Sequence, residues 1–119
     1  MDVIAIFDIG KTNKKFLLFD LTLNLVYHEE KLFEEIRDDD GFECDDIEGI
    51  VSWMKSRLTD IIKSEDYQVI ALNFTSYGAS LVHLDNAGNM VTPLYNYLKP
   101  MPEGLTEEFH QAWGGVEEF

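Results

Sequence analysis

Residues 3–19 narrow the possible folds more than any other stretch of this chain. Val3-Ile4-Ala5-Ile6-Phe7 is continuously apolar and ends in Asp8-Ile9-Gly10. A polar, lysine-rich stretch follows, Lys11-Thr12-Asn13-Lys14-Lys15, and then a second apolar run, Phe16-Leu17-Leu18-Phe19. The first run reads as a central strand buried on both faces. The second is too short and too apolar for an amphipathic helix, so it reads as a strand paired back on the first. Three of the 9 Lys and Arg residues in this chain of net charge −14 fall in the turn between them. A carboxylate on one side of a hairpin turn, with lysines and backbone amides on the other, can hold a magnesium–nucleotide.

Each residue of the turn has a physical role in that reading. Asp8 ends a central strand, where its carboxylate can hold hydrated Mg2+. Gly10 lets the backbone bend and come close to a phosphate. Thr12 and Asn13 offer small polar donors, and Lys11, Lys14 and Lys15 supply positive charge. Strand alternation sends some of these lysines to the opposite face. Gly10-Lys11-Thr12 invites comparison with the Walker A loop, but that motif needs a glycine at position 5, which is Ala5, and a helix after the turn. Phosphate would therefore bind in a β-hairpin turn, through amides, hydroxyls and ammonium groups. A plain hairpin with solvated lysines is the competing reading of the same residues.

The strongly acidic balance argues against nucleic acid and anionic membrane as partners. One cysteine, Cys44, excludes an intrachain disulfide and fits a reducing cytoplasm. No secretory leader or membrane-length apolar run is evident. At 119 residues the chain makes one domain at most, small for a complete two-substrate enzyme.

Further along, Leu25 to Phe33 predicts a third strand, giving an opening meander. Residues 34–46 form an acidic loop. A calcium loop fails there, because placing Gly41 sixth puts Ile36 and Ile47 at the first and twelfth ligand positions. Asp45 with Glu48 predicts a capping box. Ile47, Ile50, Val51, Met54, Leu58, Ile61 and Ile62 then form one helical stripe to about Lys63 or Ser64, with Trp53 beside it. Val69 to Phe74 predicts a second continuous apolar strand. Ser80–Leu84 and Met90–Thr92 predict a hairpin around Asp85-Asn86-Ala87-Gly88-Asn89. Leu105 to Trp113 predicts a short helix stopped by Gly114-Gly115. His28, His83 and His110 are scattered and do not suggest a metal site. Val116 to Phe119 looks like the start of another helix, which predicts a fragment of a longer protein.

Asp8-Ile9-Gly10-Lys11-Thr12-Asn13-Lys14-Lys15 resembles the first phosphate loop of FGGY-type carbohydrate kinases, members of the actin-like ATPase superfamily. Three more stretches resemble that family in the expected order. Gly41-Phe42-Glu43-Cys44-Asp45-Asp46, then Trp53, is similar to its Gly-x-x-Glu-x-Asp-Pro…Trp pattern. Val69-Ile70-Ala71-Leu72 leading to Ser76-Tyr77-Gly78 is similar to the strand before its substrate loop, and Ser-Tyr-Gly to the Ser-Trp-Gly of the rhamnulose kinase branch. Leu84-Asp85-Asn86-Ala87-Gly88 is similar to its Leu-Asp-x-x-Gly hairpin.

The resemblance implies an α/β fold, a ribonuclease H-like lobe whose mixed sheet opens with a three-stranded antiparallel meander, incomplete in this chain. Residues 1–119 would be the N-terminal portion of the first of two lobes. It implies ATP and Mg2+ as cofactors, a sugar as small-molecule partner, and transfer of the γ-phosphoryl group to a sugar hydroxyl. A homo-oligomer is compatible with it. Asp8 would hold magnesium through water. Gly10, Lys11, Thr12, Asn13 and Lys15 would contact phosphate, and Ser76, Tyr77 and Gly78 the sugar. The chain departs from the family at Lys11, where threonine is usual, and at Leu94 to Lys99, where many members carry Trp-x-Asp-x-Arg. The catalytic aspartate and adenosine pocket of such enzymes lie beyond residue 119, so the resemblance implies an inactive fragment. Another actin-like ATPase, of the repressor–kinase or activator type, and a non-catalytic acidic interaction module are the alternatives.

Overall fold

A computed structural model describes residues 1–118 of the chain, so Phe119 lies outside the described residues. Four strands form the main sheet: β1 (Asp2–Ile9), β2 (Asn13–Phe19), β3 (Leu25–Leu32) and β6 (Gln68–Ser76). A small ribbon, β4 (Ile36–Arg37) with β5 (Glu43–Cys44), precedes helix α1 (Ile47–Lys63). A second helix, α2 (Leu105–Trp113), and a 3₁₀ turn at Val116–Glu118 follow β6. The sheet order is β3-β2-β1-β6, with β1 antiparallel to β2 and parallel to β6. This is the expected mixed sheet opening with a meander.

The sheet has two unlike faces. Along β1, Val3, Ala5 and Phe7 are fully buried beneath α1, while Ile4, Ile6 and Asp8 alternate onto the other face and are half-buried. The covered face carries an aromatic row across all four strands. Phe7 stacks on Phe16 at 4.7 Å and lies 5.6 Å from Phe74, and Phe16 meets Tyr27 edge-on at 6.1 Å. Trp53 from α1 caps this row, edge-on to Phe7 at 5.8 Å and to Phe33 at 5.7 Å. Aromatic pairs of this geometry add about 0.5–1.5 kcal/mol each beyond their burial. The expected stripe is therefore centred on Ile50 and Trp53, with Met54, Leu58 and Ile61 against the core and Ile62 exposed.

Trp53 sits in the core because its polar tip has a partner. Its indole N–H donates to Glu29 Oε1 at 3.2 Å, and the Tyr27 hydroxyl donates to Glu29 Oε2 at 3.0 Å. Burial alone would raise the Glu29 pKa. The Trp53 and Tyr27 bonds and the Arg57 charge outweigh it and hold the carboxyl below its ordinary value.

The structure corrects four expectations. The strands run further toward the turn than their apolar cores, to Ile9 and from Asn13, leaving Gly10-Lys11-Thr12 as the loop. The acidic segment is not featureless, because Asp38 organises a turn that closes β4 on β5. The N-cap is Asp46, not Asp45: the Asp46 carboxylate accepts from Gly49 N at 3.1 Å, which removes the Asp45–Glu48 capping box. Gly49 is the residue that permits this close cap, since a Cβ there would lie 2.4 Å from Asp46 Oδ2. The hairpin of residues 80–92 reduces to one bridge, Leu84 with Met90, although its turn forms.

Candidate functional site

The turn predicted to bind phosphate stands at one end of the sheet. Asp8 pairs with Lys15 and Ile9 with Lys14, and Gly10 N–H donates to the Asn13 carbonyl at 2.9 Å. A Cβ at Gly10 would lie 2.8 Å from that carbonyl oxygen, so the closure requires glycine. Among the described residues, the backbone N–H groups of Lys11 and Thr12 and the Thr12 hydroxyl have no partner. The half-buried Asp8 carboxylate likewise makes no hydrogen bond or ion pair among the described residues. Exposed donors beside an unpaired carboxylate are what a magnesium–phosphate ligand requires.

Alternation divides the three lysines. Cross-strand partners share a face, so Glu30, Lys15, Asp8 and Thr75 form one row on the side away from α1. Lys15 Nζ lies 3.8 Å from Glu30 Oε1, and His28 Nε2 lies 3.5 Å from the same oxygen. Lys14 belongs to the α1 side and is 1% exposed. Its ammonium donates to the Lys11 carbonyl at 2.9 Å and to Asp45 Oδ1 at 3.2 Å. Lys11 Nζ is drawn to that side too, 3.7 Å from Asp45 Oδ2 and 3.8 Å from Glu35 Oε2. Thus Asp8 and Lys15 share the open face, and Lys11 and Lys14 share a buried acid.

The loop predicted to contact substrate begins where β6 ends. Ser76 is the register partner of Ile9, and Tyr77 N–H donates to the Ile9 carbonyl at 3.3 Å. The Tyr77 hydroxyl donates to Asp45 Oδ2. Burial, then that bond, pushes the Tyr77 phenol well above its ordinary range. Ser76 and Gly78 are exposed. The two predicted loops are therefore neighbours at one sheet end, joined by the main chain and through Asp45.

Beyond Tyr77 lies an open groove of about 630 Å³, lined by Ser80, His83, Tyr95, Tyr97 and Lys99 among others. The Tyr97 ring is 6.1 Å from that of Tyr77. Lys99 donates to Asp38 at 2.7 Å and to Asp40 at 2.6 Å, and Tyr95 donates to Asp39 at 3.0 Å. The carboxylates of Asp38, Asp39 and Asp40 lie within 4.8 Å of one another, and this cation of the chain's own serves two of them. The Lys99 ammonium is held charged well above its ordinary range by those two hydrogen bonds.

Asp45 joins the two loops here, whereas the sequence pattern predicts it as a helix cap. The signal was present in the pair Asp45-Asp46 directly before a helix, since one carboxylate can cap and the other must find another partner. A buried lysine fourteen residues into an acidic chain was the partner to look for.

No family model and no curated protein matches the sequence. The fold matches solved structures closely. A ligand-bound xylulose kinase from Lactobacillus acidophilus superposes with a TM-score of 0.76 at 18% identity, over 96% of this chain and 23% of that one. A carbohydrate kinase from Novosphingobium aromaticivorans superposes at 0.77 and 20% identity, over 91% and 22%. A glycerol kinase from Plasmodium falciparum, solved with ADP, superposes at 0.74 and 21% identity, over 95% and 24%. These neighbours are the class of protein that the four sequence stretches resemble. At these identities the likeness establishes the fold alone, one that this chain shares with those kinases. The chain spans less than a quarter of the length of each of the three structures.

Proposed function

We propose that residues 1–119 are the N-terminal portion of the first lobe of an ATP-dependent carbohydrate kinase of the FGGY type. The observation that carries this reading is the unpaired Asp8 carboxylate beside the free Lys11 and Thr12 amides, on a fold shared with carbohydrate kinases. Those residues fit a nucleotide's phosphates. Asp8 would hold hydrated Mg2+. Lys11, Thr12 and Asn13 would donate to phosphate oxygens across the glycine-permitted turn, and Lys15 would add positive charge from the row beside Asp8. Bound Mg-ATP supplies the phosphoryl group; the chain's own part is positioning and charge neutralisation.

Ser76, Tyr77 and Gly78 would meet the sugar, with Tyr95 and Tyr97 lining the adjoining groove. Exposed hydroxyls and tyrosine edges suit a neutral polyhydroxylated ligand, because the groove's ammonium, Lys99, is already neutralised by two carboxylates. The catalytic base and the adenosine pocket belong to the remainder of such an enzyme, so these 119 residues alone do not turn over sugar. The reading includes a cytosolic protein that binds neither nucleic acid nor membrane and is compatible with a homo-oligomer. No helix among the described residues is long and apolar enough to cross a membrane.

Steady-state phosphoryl transfer by the whole protein, across a panel of sugars, tests the proposal. Asp8→Asn lowers kcat/KM by about a hundredfold, the order seen when one preorganised charge-stabilising group is removed. Lys15→Met lowers it about tenfold, the worth of one charge-assisted hydrogen bond. Unchanged sugar turnover in both variants contradicts the reading and favours the acidic interaction module. Sugar phosphorylation by the 119 residues alone contradicts the fragment assignment.

A further inference from the structure

We infer that Asp45 is a positioning residue that links the phosphate turn to the substrate loop, so that an anion at the turn is registered at Tyr77. The inference rests on the assignment of those two loops given above. Asp45 is 6% exposed and is held on both sides, by the fully buried Cys44 of β5 and by the helix cap Asp46. Its backbone therefore lies on the α1 side of the lobe, between β5 and the helix cap. Oδ1 accepts from Lys14, whose ammonium also binds the Lys11 carbonyl and so fixes the backbone of the turn. Oδ2 accepts from the Tyr77 hydroxyl and has the Lys11 ammonium 3.7 Å away.

The two lysines are not equivalent. Lys14 is hydrogen-bonded and sealed. Lys11 makes longer contacts, its side chain is 21% exposed, and its nearest anions are Asp45 and Glu35. A phosphate at the turn competes with those two carboxylates for Lys11, because a multiply charged anion outbids a single carboxylate at equal distance. When Lys11 turns to the phosphate, Oδ2 loses its nearby cation and keeps only the Tyr77 hydroxyl. The electron-rich carboxylate then pulls harder on that hydroxyl, and the ring at the head of the substrate loop is held more firmly. A family-typical threonine at this position would carry no such charge, so the link depends on the lysine this chain has.

The test is nuclear magnetic resonance on the whole protein, following the Lys11 and Thr12 amides and the Tyr77 ring during titration with Mg-ATP, and again with inorganic triphosphate. The expected result is saturable movement of the turn amides and, with the same midpoint, of the Tyr77 ring. In Lys11→Met, whose partly exposed side chain leaves the core intact, the Thr12 amide still moves to saturation, with a higher midpoint because one phosphate contact is gone, and the Tyr77 response at saturation is lost. Lys11→Arg, which keeps the charge, restores it. Turn amides that move while Tyr77 stays still overturn the link and leave the phosphate reading standing. A Tyr77 response that survives Lys11→Met also overturns it. Turn amides that do not move with either ligand overturn the phosphate reading, and the link with it.

Discussion

The turns at Asp20 and Asp85 share one design, which Asp38 repeats, yet these two support very different amounts of sheet. At each, the aspartate N–H donates to the carbonyl four residues on, at 2.9 Å, and its Oδ1 accepts from backbone amides two and four residues on. At each, the fourth residue lies in the left-handed region, Leu23 at φ 65° and Gly88 at φ 83°. Yet the first turn closes β2 on β3 over seven register pairs, and the second closes a single bridge. Turn chemistry is therefore not what sets strand length here. Beside the first turn, Leu18 and Phe16 are fully buried under α1; beside the second, Leu81, Leu84 and Val91 are each more than half exposed. Local hydrogen bonds start a hairpin, and burial of one face extends it.

The largest break in this comparison comes from removing that burial. Leu18→Ala destabilises the chain by about 3 kcal/mol, as for other fully buried leucines, read as a lowered urea midpoint. Relieving the first turn has a smaller effect of opposite sign. Leu23→Gly removes a side chain from the left-handed region and stabilises by about 1 kcal/mol, which makes the two turns alike. Gly88→Ala does the reverse at the second turn and costs about 1 kcal/mol locally, seen as faster amide exchange of Asn89 and Met90 with little change in the global midpoint. Leu84→Ala, at 59% exposure, shifts global stability by less than about 0.5 kcal/mol.

Acid titration sharpens the comparison without altering packing. The Asn24 side chain, then its amide and Thr22, lower the Asp20 pKa to about 2 from an ordinary 3.8. A depressed folded-state value means that the contribution is present above 3.8 and fades as pH falls toward about 2. Asp20→Asn flattens that acid limb in a pH series of urea midpoints. Asp85 is lowered by the same kinds of bond, but Asp85→Asn leaves the global midpoint nearly unaffected because its turn closes little structure.

Much of the fold was legible because it is written as apolar pattern. The continuous run Val3 to Phe7 and the stripe through Ile50 and Met54 each named an element and its buried face. The turn at Gly10 was legible because only glycine tolerates the Asn13 carbonyl so close. What the sequence hid depends on register and on competition among like residues. Lys14 and Lys15 are adjacent and chemically identical, and only strand pairing shows that one is sealed against Asp45 while the other stands beside Asp8. Asp45 and Asp46 likewise compete for one helix cap, and Lys14 on a distant strand decides between them. The hairpin of residues 80–92 pairs less than its alternation and strong turn predict, because no element among the described residues covers its apolar face.

The central claim is that the Gly10 turn receives nucleotide phosphate between Asp8 and the free amides. Its most direct measurement is the chemical-shift response of the whole protein to Mg-ATP against ATP with magnesium chelated. The account predicts saturable shifts concentrated at Asp8 and at Gly10 to Asn13, larger with Mg2+ than without, with the magnesium dependence lost in Asp8→Asn. Shifts that scatter over the surface, or that centre on the Asp38–Asp40 turn and leave Gly10 to Asn13 still, would contradict it.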